Sequence, residues 1–263
     1  MGESASMLNA AWQGFLGEID CWRDAGRQID FWWRDDDASR PDPALTRLIA
    51  LAETMVVPLA LAVIPAQAQG TAFVRRLQLI SLLQHGVDHR NRAGVGEKKT
   101  EFTAAEPVSH ALARLRAGRA QLESLPGVRV LPVLVPPWNR ISAPQLVPQL
   151  PAAGYYGLST FGPRRHPFAA PGVAQVNTHV DIIDWRGTRG FAGEEVVLAQ
   201  ATQHLVARRK GSADAAEPTG WLTHHAVHDA AAWAFMERLL ERTAAVPGVS
   251  WRSAAQLFEP GAA

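Results

Sequence analysis

The sequence predicts an α/β fold, a distorted (β/α) barrel with about seven parallel strands, on three observations. Short apolar runs alternate with segments of helical spacing along the 263 residues. Parallel neighbours need helical crossovers, and the alternation supplies them. No internal linker rich in Gly, Ser or Pro divides the chain, so one catalytic domain over 1–263 is expected, opened by a helix at about 5–27.

Residues 7–27 carry Leu8, Trp12, Phe15, Leu16 and Ile19 at helical spacing before Gly26. The aromatic run 29–33 reads as a buried strand ending in Arg34-Asp35-Asp36-Asp37. A helix over 43–56 follows, with Asp42 as its cap and Pro43 at its first position. Residues 59–64 read as a strand, 72–83 as a helix with a short strand over 82–84 before His85, 107–125 as a long helix and 128–135 as a strand. A short helix near 144–150, a strand at 155–160 and an extended stretch at 173–183 come next. Then follow a helix at 194–208, a polar surface loop at 210–219, a strand at 221–223, a helix at 229–243 and a strand at 249–251. There is no internal repeat.

Composition narrows the function. Lys plus Arg total 26 against 25 Asp plus Glu, and no long basic run occurs, so nucleic acid is not an expected partner. The single cysteine, Cys21, permits no intrachain disulfide. The N-terminus lacks a basic segment and an apolar segment of signal-peptide type, and no stretch reaches the roughly 20 apolar residues of a membrane span. A cytoplasmic location is the resulting expectation. Oligomeric state is not legible.

In parallel α/β folds, chemistry gathers beyond the carboxyl ends of strands. Polar clusters fall at such places: Asp35-Asp36-Asp37, His85-Gly86-Val87-Asp88-His89, Pro136-Pro137-Trp138-Asn139-Arg140 and Thr223-His224-His225-Ala226-Val227-His228-Asp229, with Asp181-Ile182-Ile183-Asp184-Trp185 as a fifth. Adjacent carboxylates repel one another, and a divalent cation offsets that repulsion; a solvated acidic turn is the bland alternative. His85 and His89 are four apart, a spacing that serves many zinc sites and also occurs between unrelated polar residues. Asp229 has an ordinary use as a helix cap. One Asp and two His leave open positions on a metal, while a second Asp and a late His supply base and acid.

These clusters, in this order, resemble the polysaccharide-deacetylase (NodB-homology) family of carbohydrate esterases, over roughly residues 29–257. The resemblance implies Asp36 as general base and Asp37 as metal ligand, with the Asp35/Asp36 frame as the alternative. It implies His85 and His89 as the other two ligands and His224, in Leu222-Thr223-His224-His225, as catalytic acid. His225 stands where the family has Asp. The family's Arg-x-Pro-aromatic motif appears as Val135-Pro136-Pro137-Trp138 without its arginine, a task left to Arg140 or Arg34. Trp138 is a candidate wall for a sugar ring, and core packing is its other use. Asp184 corresponds to an acid that supports the site, and His179 lies close to that element.

The resemblance implies one divalent transition metal, zinc first and nickel or cobalt fitting the same ligands. It implies hydrolysis of an N-acyl group, acetyl first, from a carbohydrate or other small amino-sugar-like substrate. A cytoplasmic protein would meet an amino-sugar metabolite, a nucleotide sugar or a lipid precursor. The rivals are a deformylase or cyclic-amide hydrolase on the same scaffold and an inactive carbohydrate-binding barrel. The loop 91–102, which follows the paired histidines, reads as solvated, with substrate contact as the second option.

Overall fold

The computed structural model describes residues 2–69, 79–125 and 129–258. Helix α1 (Gly2–Asp24) precedes strand β1 (Ile29–Ala38), then α2 (Pro43–Met55), β2 (Leu59–Val63) and β3 (Ile80–His85). Next come α3 (Val108–Glu123), β4 (Val130–Val135), α4 (Leu146–Gln149), β5 (Gly157–Leu158), β6 (Phe168–Ala170), β7 (Val173–Gln175) and β8 (Val180–Asp181). The chain continues with α5 (Glu194–Lys210), β9 (Thr219–Thr223), α6 (Ala230–Thr243), β10 (Val249–Trp251) and α7 (Ala254–Phe258). Among the described residues, no helix is long and apolar enough to cross a membrane.

The strands form one curved, unclosed sheet in the order β6-β7-β5-β4-β3-β2-β1-β9-β8, with β10 also paired to β1. Every pairing is parallel except β6 with β7. The expected α/β architecture is therefore present, as an open barrel with more and shorter strands than the seven read from apolar runs. Strands of two or three residues, such as β5 and β8, leave too little periodicity to be counted separately.

Side-chain alternation divides the core. Phe31 and Trp33 of β1 and Leu59, Leu61 and Val63 of β2 face the helical layer, where Trp12, Phe15, Ile19 and Trp22 of α1 pack with Leu198 and Leu205 of α5 and Phe235 and Leu239 of α6. Trp32, Ala60 and Ala62 face the other way, against Leu83, Val133, Val135 and Phe258. Burying each large side chain fully is worth roughly 1.5–3 kcal/mol, so both layers hold the sheet curved. The two caps read from sequence are present: Asp42 accepts from the Leu45 N–H at 2.8 Å and Asp229 from the Ala232 N–H at 2.8 Å.

Two expectations need correction. The helix over 72–83 cannot run to its end, because Ile80–His85 is a fully paired interior strand; its first part lies in residues 70–78, outside those described. The strand, Ile80-Ser81-Leu82-Leu83-Gln84-His85, is covered on both faces and buries Gln84 and His85 with its apolar residues, so it carries no period-2 alternation. The polar stretch 210–219 is not all surface, since Glu217 and Thr219 are wholly buried.

Candidate active site

Because the central strands are parallel, β1, β3, β4, β8 and β9 deliver their carboxyl ends to one side of the sheet. There a cavity of about 820 Å³ is lined by Asp36, Asp37, His85, His89, Trp138, Asp181 and His224, among others.

The three consecutive aspartates have three different surroundings. Alternation along β1 sends Arg34 and Asp36 to the inner face with Trp32, and Asp35 to the opposite face with Trp33. Asp35 accordingly accepts bonds from the Thr223 hydroxyl at 2.6 Å, the His225 N–H at 2.9 Å and the His225 ring Nδ1. Asp36 is gripped by Arg34, Nε to Oδ1 at 2.8 Å and Nη2 to Oδ2 at 3.0 Å, with both side chains buried. Asp37 would follow Asp35 outward, but the β1–β2 register shifts after Asp35 and Asp37 adopts φ 68. This irregularity turns its carboxylate into the cavity.

Asp37 Oδ1 lies 3.2 Å from Nε2 of both His85 and His89. The His85 Nδ1 lies 3.0 Å from the Val135 carbonyl oxygen, so a neutral ring donates there and aims an Nε2 lone pair at a carboxylate. Among the described residues Asp37 Oδ1 has no properly formed hydrogen bond, although it is buried. A cation between the three groups resolves this arrangement, and ring fixation by a backbone carbonyl is the usual support of a metal-binding imidazole. The donor set therefore fits a divalent transition metal. Burial pushes the Asp37 carboxyl up, but the imidazoles of His85, His224 and His89 beside it outweigh this and hold it well below the carboxylate range. Burial lowers the His85 imidazole, and Asp36 and Asp37 more than reverse this; His89 is lowered by burial and by His85.

His85 and His89 do not share a helical turn. His85 ends β3, and the chain turns through Gly86 (φ 56) to His89 (φ 56). A Cβ at position 86 would collide with the Glu101 carboxylate and stand 2.6 Å from the Pro137 ring, so glycine is required. Glu101, wholly buried, accepts from the backbone N–H groups of Val87 at 3.0 Å and His89 at 3.2 Å and is paired with Arg114 at 3.0 Å. It holds the turn that presents His89, and nothing in the sequence marks an acid within a polar loop for that task. The loop 91–102 is thus anchored at its end, where Thr100, Glu101 and Phe102 are buried, while Lys98 and Lys99 reach the cavity.

The two candidates for the missing motif arginine separate clearly. Arg34 holds Asp36 and also donates to Ser159 Oγ at 2.6 Å and Asn139 Oδ1 at 2.6 Å. Arg140 donates to the Lys99 carbonyl at 2.9 Å and stays at the rim. Trp138 lines the cavity with its ring 4.5 Å from that of His89.

On the far wall His224 stands with its ring 4.7 Å from Trp185 and, among the described residues, no hydrogen-bond partner for its buried Nδ1. Of the two acids nearby, Asp181 enters the cavity, accepting from the Trp185 indole at 2.8 Å; burial raises its pKa, with His224 opposing. Asp184 instead accepts from the backbone N–H groups of Arg186, Gly187 and Thr188, closing its own turn. The alternating pattern of a strand end, Asp181 inward and Ile182 outward, was the available signal. His225 lies behind the site on Asp35; burial lowers its imidazole, but Asp35 lifts it above the ordinary value.

His179, His204 and Glu217 form a second cluster with metal-ligand separations. Here the donors have other uses: Glu217 accepts from the N–H groups of Arg164 at 2.9 Å and Asn177 at 3.1 Å, and His179 Nδ1 accepts from Gly220 at 3.0 Å. Arg208, donating to the Thr219 hydroxyl that also meets His204 Nδ1, places a cation beside it. The cluster is a packed structural core.

No family model matches the sequence, and no curated protein does. Solved structures do. The fold is similar to a candidate polysaccharide deacetylase from Mycobacterium smegmatis, with TM-score 0.60 and 17% identity over 88% of this chain and 89% of that one. It is similar to a peptidoglycan deacetylase from Bacillus subtilis (TM-score 0.52, 15% identity, 88% and 90% covered). A family 4 carbohydrate esterase from Streptomyces lividans, solved with acetate, gives TM-score 0.51 and 12% identity, with 86% and 91% covered. The chain has the fold of these deacetylases and carbohydrate esterases; at such identities the activity must be argued from the side chains.

Proposed function

We propose that the chain is a metal-dependent amide hydrolase that removes an N-acyl group, acetyl first, from an amino-sugar-like substrate. One observation carries the reading: Asp37, His85 and His89 converge on a single point beside an arginine-clamped Asp36. His224 lines the same cavity from the opposite wall.

A divalent transition metal held by Asp37, His85 and His89, zinc first, would polarise the acyl carbonyl and lower the pKa of a bound water. The remaining work falls to the protein. Arg34 fixes both oxygens of Asp36, so the carboxylate meets the attacking water in one orientation and takes its proton as general base. His224 gives a proton to the departing nitrogen, which could otherwise leave only as an amine anion. Trp138 and Trp185 flank the two ends of this line. Asp181 lines the cavity beside His224 and is held by the Trp185 indole.

The test is acid release from N-acetyl and N-formyl amino sugars and from cyclic amides, using protein stripped by a chelator and then reloaded with zinc, cobalt or nickel. Metal-restored acetate release is expected. No release from any of these by fully loaded protein would overturn the reading.

A further inference from the structure

Outside the reacting groups the cavity is ringed by five cations, Lys98, Lys99, Arg140, Arg186 and Arg189. They come from three separate segments of a chain whose formal net charge is only +1, so the concentration is local. Sheet order sets two of the segments beyond β3 and β4 and the third beyond β8, so the cations face one another across β1. On the His89 side, the Lys99 ammonium lies 6.0 Å from the Trp138 ring centroid and Arg140 is tied to the Lys99 backbone. On the His224 side, Arg186 and Arg189 belong to the turn that Asp184 closes.

These cations are not counterions for the acids around them. Asp36 is matched by Arg34, and Asp37 by the metal of the proposed reading. Asp88 forks Arg92, Glu97 accepts from the Gly94 N–H, and Asp184 is spent on backbone groups. Among the described residues, none of the five forms an ion pair with a carboxylate. Backbone strain marks the same places. Of six non-glycine residues with positive φ among those described, Asp37, His89, Trp138, Asn139 and Arg189 line this cavity. An L-residue held there costs of order 1 kcal/mol or more, so the surrounding structure fixes Arg189 at the rim against its own preference.

We propose that the substrate is an acidic amino sugar. Its acyl group is placed between Asp36 and His224, and a phosphoryl or carboxylate group on the sugar or its leaving portion is bound at the rim by Lys98, Lys99 and Arg140 on one side and Arg186 and Arg189 on the other. This rests on the deacylase reading of the cavity. Guanidinium groups match the oxygens of either anion in pairs, and unpaired lysines add charge without demanding one geometry.

The experiment uses the zinc-loaded full chain. Binding of glucosamine, glucosamine 1-phosphate, glucosamine 6-phosphate and muramic acid is measured by calorimetry, and turnover of their N-acetyl forms is measured in parallel. At least one acidic sugar is expected to bind about 10-fold or more tighter than glucosamine, an advantage that shrinks with added salt. The phosphate and carboxylate arms decide which anion is taken. The advantage should be lost in Arg186→Ala/Arg189→Ala and in Lys98→Ala/Lys99→Ala, whereas direct coordination of the anion by zinc would leave it intact in both and overturn the proposal. Equal binding of neutral and acidic sugars overturns it too. Turnover without charge preference removes the rim assignment and keeps the deacylase; charge-selective binding without turnover of any acyl form keeps the rim and removes the deacylase.

Discussion

Arg34 and Asp36 stand two residues apart on one face of the same strand, and the guanidinium holds both carboxylate oxygens, at 2.8 and 3.0 Å. A lysine can supply the charge but not the fork. Arg34→Lys is therefore expected to lower kcat by about 100-fold, through loss of orientation, while metal content stays at the wild-type level. Arg34→Ala leaves a buried carboxylate unpaired and is expected to cost about 3–5 kcal/mol in urea unfolding. Steady-state kinetics beside denaturation curves check both; an Arg34→Lys enzyme of normal kcat would remove Arg34 from the reaction.

Asp35 and Asp36 are expected to fail in different ways. Asp36→Asn should abolish turnover with metal bound and, because it leaves the buried Arg34 guanidinium unmatched, should also cost about 3–5 kcal/mol in unfolding. Asp35→Asn weakens a buried anion that serves His225 and Thr223, so a loss of about 2–4 kcal/mol is expected, with a smaller loss in kcat. Parallel unfolding and kinetic measurements distinguish them. The reverse pattern would put the general base in the Asp35/Asp36 frame.

For His224→Ala, the expected loss is about 10²–10⁴ in kcat with metal retained. Turnover within a few-fold of wild type would transfer the acid role to another group.

Burial, His179 and Arg208 push the His204 imidazole down to about 2, and burial chiefly takes His228 to about 4. Both are neutral in the folded protein, and both take protons on unfolding once the pH is below the ordinary histidine value of 6.5. Their stabilisation is therefore complete above that pH and is lost as it falls, by about 1.4 kcal/mol per unit for each ring until its folded pKa is reached. His204→Gln, which keeps a partner for Thr219, should be less stable at neutral pH yet show a shallower decline between pH 6.5 and 4. Urea midpoints across that range measure the slope, and an unchanged slope would exclude His204 as a contributor.

Much of this site could be read before the structure, because strand ends concentrate polar residues in short runs. The alternation of Trp32, Trp33, Arg34, Asp35 and Asp36 already separates the outward aspartate from the inward one. The inward turn of Asp37 could not be read, because it depends on a register shift against β2. Arg34 was one of two options for holding Asp36, and only packing shows that Arg140 goes to the rim. Glu101 and Glu217 escaped notice because each is a buried acid in a segment polar enough to pass for surface, and their partners are backbone N–H groups that any sequence supplies. Strand β3 reads as the end of a helix because Ser81, Gln84 and His85 do not alternate with its apolar residues, and Gln84 and His85 are buried with them.

The central claim is that Asp37, His85 and His89 hold a metal together, and the most direct test is metal content by elemental analysis. Wild-type protein and the variants Asp37→Ala and His85→Ala/His89→Ala would be purified identically and reloaded with zinc. About one tightly held ion per wild-type chain, and none retained by folded Asp37→Ala or His85→Ala/His89→Ala, is the expected result. Stoichiometric zinc in either variant, or none in the wild type after reloading, would contradict the account.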